Sequence, residues 1–352
     1  MAQQGLVTVM VPSYNYGQYL GDCVASAATQ SGVEVDVVVV DNGSTDNSVD
    51  VGRAMAERYS NVRHVVNADN QGIISSFNRC RDEVRGEFAT LLCADDCLTP
   101  GALARAVRFM HANPSVGLAY GPFIDFADLA TADMSTTTVA PGAPIVYSGS
   151  EWIDHLGRDG TNPIRTPEVV MRTSVLDSVG KLDPTCPYSS DLNLWLRIAA
   201  VSDIGYMPGP AQALFRRHVN SFGYLGPGSS LHDIEERWRA WTAFFETLGT
   251  DPRRAAWEAT IRRSLAAEAR YMATRAFVKP FGADPNKSVE QLLARAAALD
   301  DPKFPAAERI GWATRRKLTP KIAGRFPPLL VRPTVRHLRR EYTVRRRTRT
   351  GV

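Results

Sequence analysis

The 352-residue sequence lacks several features that assign proteins to familiar classes. No apolar run approaches the roughly 20 residues that a membrane-spanning helix needs. The first residues, MAQQGLVTVMVPSYN, have no basic flank and lead directly into an apolar segment, so we expect no signal peptide. The five cysteines are odd in number and scattered, which favours a reducing cytoplasm over a disulfide-linked secreted domain. These absences predict a cytoplasmic protein.

Two phosphate-binding motifs and a zinc motif are also missing. No Gly-x-Gly-x-x-Gly follows the first predicted strand, which argues against a dinucleotide-dependent oxidoreductase. No loop ends in Gly-Lys-Ser or Gly-Lys-Thr, which argues against a P-loop enzyme. Cys93 and Cys97 could form half of a zinc site, but no second cysteine pair or histidine pair completes it. We therefore interpret both cysteines as buried free thiols.

What is present is an ordinary globular composition with an uneven distribution of charge. Apolar residues make up 44% of the chain, charged residues 22%, and the net charge is +4. Residues 309–352 hold 14 Lys and Arg against one acid, Glu341, a balance of +13 that leaves −9 for the rest. Leu329, Leu330 and Val331 among these arginines indicate peripheral docking on an anionic membrane, at its inner face. A solvated tail with no fixed role is an equal alternative, and no nucleic-acid partner is expected.

Short apolar runs alternate with helix-spaced apolar residues over the first 120 residues. The runs predict strands at residues 7–11, 35–40, 62–66, 88–93 and 116–120, with helices in the intervals. Pro12 is expected to end the first strand. This alternation predicts right-handed βαβ units, and hence an α/β fold with a mainly parallel sheet and helices on both faces.

The later part of the chain predicts a second half and a helical extension. Residues 121–170 are rich in Thr, Ala, Gly and Pro, and we expect a long irregular connection over an active site. Short strands are expected at 169–172, 204–207 and 214–217, and a helix at 192–200. From residue 232 the pattern is helical, and its aromatic residues are interpreted as packing. We predict a catalytic domain at 1–225, with a nucleotide half at about 1–120 and an acceptor half at about 121–225, and an extension at 226–352.

The most acidic turn follows the predicted strand that ends at Cys93. Asp95 and Asp96 stand at its carboxyl end, where open α/β sheets bind ligands. Two like charges there need a cation or hydrogen-bond donors, and a hard divalent ion shared with a diphosphate is the simplest partner. The structural alternative is that the two carboxylates cap the next helix, which Thr99 and Pro100 are expected to cap and start.

Other polar turns point to the same place. The loops that carry Tyr14, Asp41, Asn70 and Asp95 all follow strand ends, so we expect them to gather at one edge of the sheet. Capping alone does not account for polar groups from four separate loops. The sequence therefore predicts a nucleotide or phosphoester site along this edge.

Six motifs in series resemble the family 2 glycosyltransferases of the GT-A fold. They span about residues 6–222 in the family's order and spacing: Pro12-Ser13-Tyr14-Asn15; Val40 to Asp46 (VDNGSTD); Asn70-Gln71-Gly72 with Asn78; Arg85-Gly86-Glu87-Phe88 with Ala94-Asp95-Asp96; Asp191 to Arg197 (DLNLWLR); and Arg216-Arg217-His218 with Ser221. The resemblance implies inverting, metal-dependent, non-processive transfer of a sugar from a nucleoside diphosphate donor, UDP or dTDP. The implied acceptor is a hydroxyl of a saccharide, a lipid-linked saccharide or a natural product.

The resemblance also implies roles for individual residues. Asp191 matches the catalytic base, against the alternative of a helix N-cap. Asp95 and His218 match ligands of Mg²⁺ or Mn²⁺, and a surface histidine is the alternative for His218. The implied donor-binding residues are Pro12, Ser13, Tyr14, Asn15, Asp41, Asn42, Asn70, Gly72, Asn78, Ala94, Asp95 and Asp96. Asp41 would accept a hydrogen bond from the N3 hydrogen of uracil or thymine.

The sequence departs from the family at several positions within these motifs, among them Asn42, Phe77, Cys93 and Ser190. Many relatives carry Asp where this chain has Asn42 and Cys93, so one metal-facing carboxylate is missing. No Gln-x-x-Arg-Trp motif follows, which argues against a processive polysaccharide synthase.

Two other classes of function are alternatives to a glycosyltransferase. A sugar nucleotidyltransferase would need a Gly-rich loop with Arg or Lys after the first strand, and residues 13–16 (SYNY) lack it. A non-catalytic GT-A-like module is the third reading. The joint presence of Asp41, Asp95, Asp191 and His218 argues against it.

Overall fold

The computed structural model describes residues 3–132, 142–218, 230–278, 285–300 and 350–352. Its strands are β1 Gln3–Ser13, β2 Glu34–Asp41, β3 Val62–Val66, β4 Gly86–Leu91, β5 Cys97–Leu98, β6 Val116–Tyr120, β7 Phe123–Phe126, β8 Ile145–Tyr147, β9 Val169–Arg172, β10 Asp203–Tyr206 and β11 Ala213–Arg216. Its α-helices are α1 Gly17–Ala28, α2 Ser48–Arg58, α3 Ile73–Asp82, α4 Ala102–Ala112, α5 Gly149–Asp159, α6 Thr173–Val179, α7 Ser190–Val201, α8 Ser230–Thr247, α9 Arg254–Val278 and α10 Pro285–Leu299.

Eight strands form one sheet in the order β3-β2-β1-β4-β9-β6-β10-β8. β1 pairs in parallel with both β2 and β4, and β2 pairs in parallel with β3. β9 runs antiparallel to β4 and β6, and the edge strand β8 runs antiparallel to β10. A smaller sheet has the order β5-β11-β7. The predicted α/β class with a mainly parallel sheet is confirmed.

Both faces of the large sheet are covered by helices. Successive side chains of a strand point to opposite faces, so Val9 packs into a core with α1, α2 and α4. Met10 points the other way, into a core with α3, α6 and α7. This double burial explains why β1 and β2 read as nearly continuous apolar runs.

The expectation that Pro12 ends the first strand is wrong, since β1 continues through Ser13. Ser13 O accepts from Asn42 N at 2.9 Å on the β2 side, whereas Met10 O accepts from Leu92 N at 2.9 Å on the β4 side. Because a proline has no N–H to donate, Pro12 ends only the β4 ladder, toward which its nitrogen faces. β1 therefore stays paired with β2 through Ser13, at the carboxyl end of both strands.

Residues 121–170 are more regular than expected. They contain β7, β8 and the eleven-residue helix α5, whose Trp152 and Ile153 are fully buried. Ser148 caps α5 by accepting from the backbone N of Glu151 at 3.3 Å, and the left-handed Gly160 ends it. The sequence carried this signal as a Ser and a Glu three residues apart.

The expected cap of the helix after Asp96 is also wrong. Thr99 donates its hydroxyl to the carbonyl of Ala211 and does not cap a helix. α4 begins only at Ala102, after Gly101 in the left-handed conformation. A two-residue strand, β5, thus separates the acidic turn from α4 and ties it to β11.

The helical extension was predicted correctly as far as it is described. α8, α9 and α10 share one core with α5 and α7, in which Trp241, Phe244 and Phe245 are buried, as expected for packing aromatics. Within the described ranges, no helix is both long and apolar enough to cross a bilayer. The domain boundary at 225 and 226 stays a prediction, and the basic tail up to residue 349 lies outside the described residues.

Candidate active site

A cleft of about 1460 Å³ opens at the carboxyl ends of β1, β2 and β4 and extends to α5, α7, α8 and α9. Most of the predicted site residues line it: Pro12, Ser13, Tyr14, Asn15, Asn42, Asn70, Gly72, Ala94, Asp95, Asp96 and Asp191. Asp41, Asn78 and His218 are not among the lining residues. Ser221 lies outside the described residues. The expectation that loops after separate strands meet at one edge is confirmed.

The turn after β1 is held by the turn after β2. Asn15 adopts a φ of 56°, a left-handed conformation that Asn tolerates better than most residues. Its side-chain Oδ1 accepts from Thr45 N at 2.8 Å, and its backbone N donates to Ser44 Oγ at 2.9 Å. These bonds leave Tyr14 projecting with 40% of its surface exposed, in the cleft wall.

Asn42 joins the turn after β2 to the turn after β3. Its Nδ2 donates to Asn70 Oδ1 at 2.9 Å and to Gly72 O at 3.2 Å, while its Oδ1 accepts from Asn67 Nδ2 at 3.0 Å. An aspartate here would have no N–H to donate, so these two hydrogen bonds require the amide. Asn42 therefore shapes the loop that carries Asn70.

Asp41 is the last residue of β2, next to the cleft-lining Asn42, and is completely buried. Its Oδ1 accepts from Ser44 N at 2.8 Å. Its Oδ2 has no hydrogen-bond partner within the described part of the chain. A buried carboxylate oxygen without a donor is costly, so this atom is suited to accept from a ligand.

Asn78 does not face the cleft. Its Nδ2 donates to Leu182 O at 3.1 Å and its Oδ1 accepts from Leu182 N at 2.8 Å. Both polar ends of the amide are thus occupied by one backbone unit. Asn78 connects α3 to the segment that precedes α7 and so positions the two halves of the cleft, a role different from direct donor contact.

The acidic turn is surrounded by cationic and aromatic groups. Arg216 donates its backbone N to Asp96 Oδ1 and its Nε to Asp95 O, both at 2.8 Å. The guanidinium lies 4.4 Å from the Tyr19 ring centre and 4.3 Å from that of Phe126, in cation–π geometry. Arg216 is 5% exposed and fixes the backbone from which Asp95 and Asp96 project.

His218 meets Asp95 at the edge of this turn. Its Nε2 lies 2.9 Å from Asp95 Oδ2, and both side chains are largely buried. The imidazole also packs against the rings of Tyr16 and Tyr19. The alternative of an unattached surface histidine is therefore wrong, because His218 is oriented at the predicted metal-binding carboxylate.

The residues of the acidic turn fit a divalent cation. Cys93, Asp95 and Asp96 offer ligand atoms that all lie within 4.8 Å of one another. Asp96 Oδ2 is buried and, among the described residues, has no hydrogen-bond partner. Burial and the neighbouring Asp95 raise the pKa of Asp96 well above its usual range. A cation would relieve both the repulsion and the desolvation of these carboxylates.

Asp191 lies in the first turn of α7 and lines the same cleft. The N-cap of α7 is Ser189, so the alternative that Asp191 is the cap is wrong. Asp191 Oδ2 accepts from Asn162 Nδ2 at 3.0 Å, and Oδ1 accepts from Leu192 N at 2.7 Å. Burial raises the pKa of Asp191. A carboxylate with a raised pKa is a stronger base, which suits a group that accepts a proton during a reaction.

Several residues of the site were not predicted from the sequence. Arg165 lies in the cleft wall, with its guanidinium 5.7 Å and 5.5 Å from the ring centres of Phe123 and Phe215. Arg237 is 4% exposed and pairs with Asp233 at 2.7 Å and with Glu268 at 2.9 Å. The contacts of Arg165 and the Arg237–Glu268 pair join segments distant in sequence, so no local pattern could have indicated them. Asp233 and Arg237, by contrast, are an i,i+4 pair within α8.

Comparison with known proteins gives consistent matches. Residues 8–163 match the family model for glycosyl transferase family 2. An uncharacterized glycosyltransferase of Nostoc sp. is 29% identical over 178 residues, which is 51% of this chain and 54% of that protein. The chain spans about half or less of the length of the curated relatives that it matches first.

Two solved structures show the same fold. The 1-349 fragment of S. aureus TarS, in complex with UDP-GlcNAc, has a TM-score of 0.60 at 16% identity, over 84% of this chain and 83% of that one. The mannosyltransferase PcManGT from Pyrobaculum calidifontis, in complex with GDP-Man and Mn²⁺, has a TM-score of 0.51 at 18% identity, over 93% and 83%. At these identities the likeness concerns the fold.

Proposed function

We propose that this chain, which matches the family model for glycosyl transferase family 2 through residues 8–163 and has the GT-A fold, transfers a sugar from a nucleoside diphosphate to an acceptor hydroxyl, with inversion. One observation carries this proposal. The acidic turn with Asp95 and the helix start with Asp191, which come from distant parts of the chain, line one cleft.

The donor occupies the end of the cleft formed by the turns after β1, β2 and β3. The exposed ring of Tyr14 and the backbone of Pro12 and Ser13 flank the base and ribose. Asp41 Oδ2, which is buried without a described partner, accepts the N3 hydrogen of uracil or thymine. A pyrimidine with that hydrogen therefore suits this end, and UDP or dTDP is the expected nucleotide.

Asp95 and His218 would hold the divalent cation, with Asp96 beside them. The 2.9 Å between Asp95 Oδ2 and His218 Nε2 allows both atoms to contact one ion, given typical bond lengths of about 2.1 Å. When bound, Mg²⁺ or Mn²⁺ neutralises the charge that develops on the diphosphate leaving group. Arg216 keeps the carboxylates in place through its bonds to both residues of the turn.

Asp191 is the base. It takes the proton of the acceptor hydroxyl as that oxygen forms a bond to the anomeric carbon, on the face opposite the diphosphate. The bond from the anomeric carbon to the diphosphate oxygen breaks, and the diphosphate leaves with the electron pair. Asn162 holds the carboxylate in position through its bond to Oδ2.

The acceptor enters from the end of the cleft bounded by α5, α8 and α9. This wall carries Arg158, Asp159, Asp233, Arg237 and Glu268, so charges of both signs are interspersed. Tyr188 and Tyr271 add aromatic surface. Mixed polar groups with aromatic rings suit a polyhydroxylated acceptor, and a saccharide hydroxyl is the expected nucleophile.

A donor panel tests the proposal. UDP-, dTDP- and GDP-sugars are incubated with Mn²⁺ and a set of saccharide acceptors, and released nucleoside diphosphate is measured. We expect release with a uridine or thymidine donor, and a loss of about 10²–10⁴-fold for Asp191→Asn with unchanged UDP binding. Failure of every nucleoside diphosphate to raise the melting temperature would contradict the proposal.

A further inference from the structure

Cys93 differs from the other four cysteines in its surroundings. Cys23, Cys80, Cys97 and Cys186 are buried, whereas Cys93 is partly exposed and lines the cleft. Its Sγ lies in the cluster formed with the carboxylate oxygens of Asp95 and Asp96. The prediction that Cys93 is a free thiol is confirmed, but the prediction that it is buried is wrong, since Cys93 is partly exposed.

The geometry of the cluster admits one ion in contact with all three side chains. Metal–oxygen bonds of about 2.0–2.2 Å and metal–sulfur bonds of about 2.3 Å allow ligand atoms around one ion to be separated by up to roughly 4.5 Å. The observed limit of 4.8 Å needs only small side-chain adjustment. The buried, unpartnered Oδ2 of Asp96 belongs to a residue of the same cluster and gives a second, independent sign that a ligand is missing there.

The Cys93 thiol lies outside the described hydrophobic core. In the part of the chain that is described, Cys93 belongs to none of the hydrophobic clusters, although Leu92 and Ala94 on either side do. Its carbonyl, by contrast, is used, since it accepts from Cys23 Sγ at 3.4 Å and from Asp96 N at 2.9 Å. The backbone is therefore fixed, with the side chain directed at the carboxylates.

We propose that Cys93 is a sulfur ligand of the divalent cation, so that this enzyme selects Mn²⁺, Co²⁺ or Zn²⁺ over Mg²⁺. The inference rests on the proposed function, since it concerns the cation that accompanies the donor. The thiol proton leaves to solvent as the Sγ–metal bond forms, and a coordinating thiol is deprotonated in this way. Mg²⁺ strongly prefers oxygen ligands, whereas thiolates favour softer ions.

Cobalt spectroscopy detects a bond between the metal and sulfur directly. The full chain is titrated with Co²⁺ in the presence of UDP, and the near-ultraviolet sulfur-to-cobalt charge-transfer band is recorded. We expect the band in the wild type and in Cys97→Ser, whose thiol is buried outside the cluster, and its loss in Cys93→Ser. Cys93→Asp should raise the affinity for Mg²⁺ relative to Mn²⁺ by about tenfold or more.

A second measurement needs no variant and covers the case in which Cys93→Ser fails to fold. Cys93 of the wild type is alkylated with iodoacetamide, and the modified residue is identified by mass spectrometry. Mn²⁺ without nucleotide should slow alkylation of Cys93, and Mg²⁺ at the same concentration should not. Absence of the charge-transfer band, or equal protection by both ions, would overturn the inference. If UDP with Mn²⁺ still raises the melting temperature in that case, the proposed function stands without the sulfur ligand.

Discussion

His218 Nε2 lies 2.9 Å from Asp95 Oδ2, although the two residues are separated by 123 positions in the chain. β11 brings them together, because it ends two residues before His218 and pairs with β5, which directly follows the acidic turn. The small sheet β5-β11-β7 thus serves to align a histidine with a carboxylate at the edge of the large sheet.

Replacement of His218 should weaken metal binding without unfolding the protein. His218→Ala removes a proposed ligand of the cation that also contacts Asp95 Oδ2, and loss even of an outer-shell partner typically lowers metal affinity by about 10–100-fold. We expect a loss in that range for Mn²⁺, measured by isothermal titration in the presence of UDP. His155→Ala, outside the cleft, is the control and should bind Mn²⁺ as the wild type does. Equal Mn²⁺ affinity for both variants would remove His218 from the site.

Asp41→Asn should weaken donor binding without lowering the stability of the fold. The buried Oδ2 has no described partner, so loss of its charge should leave the melting temperature equal or higher. A side-chain N–H in its place would face the N3 hydrogen of the base, and a lost charged hydrogen bond costs about 1.5–3 kcal/mol. UDP affinity should therefore fall by about 10–100-fold by calorimetry. Asp50→Asn, on an exposed ion pair, should change neither quantity.

The fold and the position of the site could be predicted because they follow from local patterns. β3 has the predicted bounds and β2 differs by one residue at each end, since a strand of a covered parallel sheet is a short apolar run that ends in turn-forming residues. The contacts that define the chemistry could not be predicted. The bond of Asn78 to Leu182 and the direction of the Cys93 thiol depend on tertiary contacts and turn geometry that no periodicity encodes.

Arg216 should stabilise the acidic turn much more than its neighbour does. Arg216→Met leaves Asp95 O without its donor and removes a cation from between two rings, so we expect a loss of about 3 kcal/mol in the free energy of unfolding. Arg217 forms an ion pair with Asp125 in which both side chains are about half exposed, and Arg217→Met should cost less than about 1 kcal/mol. Chemical denaturation of the two variants gives the comparison. Equal losses would show that the buried contacts of Arg216 contribute little.

Asn162→Ala should move the acid limb of the pH–rate profile to higher pH. Asp191 acts as a base only when ionised, so activity rises as pH passes its pKa, which burial has already raised. The bond from Asn162 Nδ2 to Asp191 Oδ2 favours the carboxylate and lowers that pKa, and its removal raises the pKa further. A hydrogen bond to a charged group is worth about 1.5–3 kcal/mol, so the acid limb should move by about one to two pH units.

The measurement is kcat/KM against pH. The matched control is Asn61→Ala, since the Asn61 amide donates to Ala28 O and does not line the cleft. An acid limb that stays in place in Asn162→Ala would mean that a group other than Asp191 takes the proton of the acceptor.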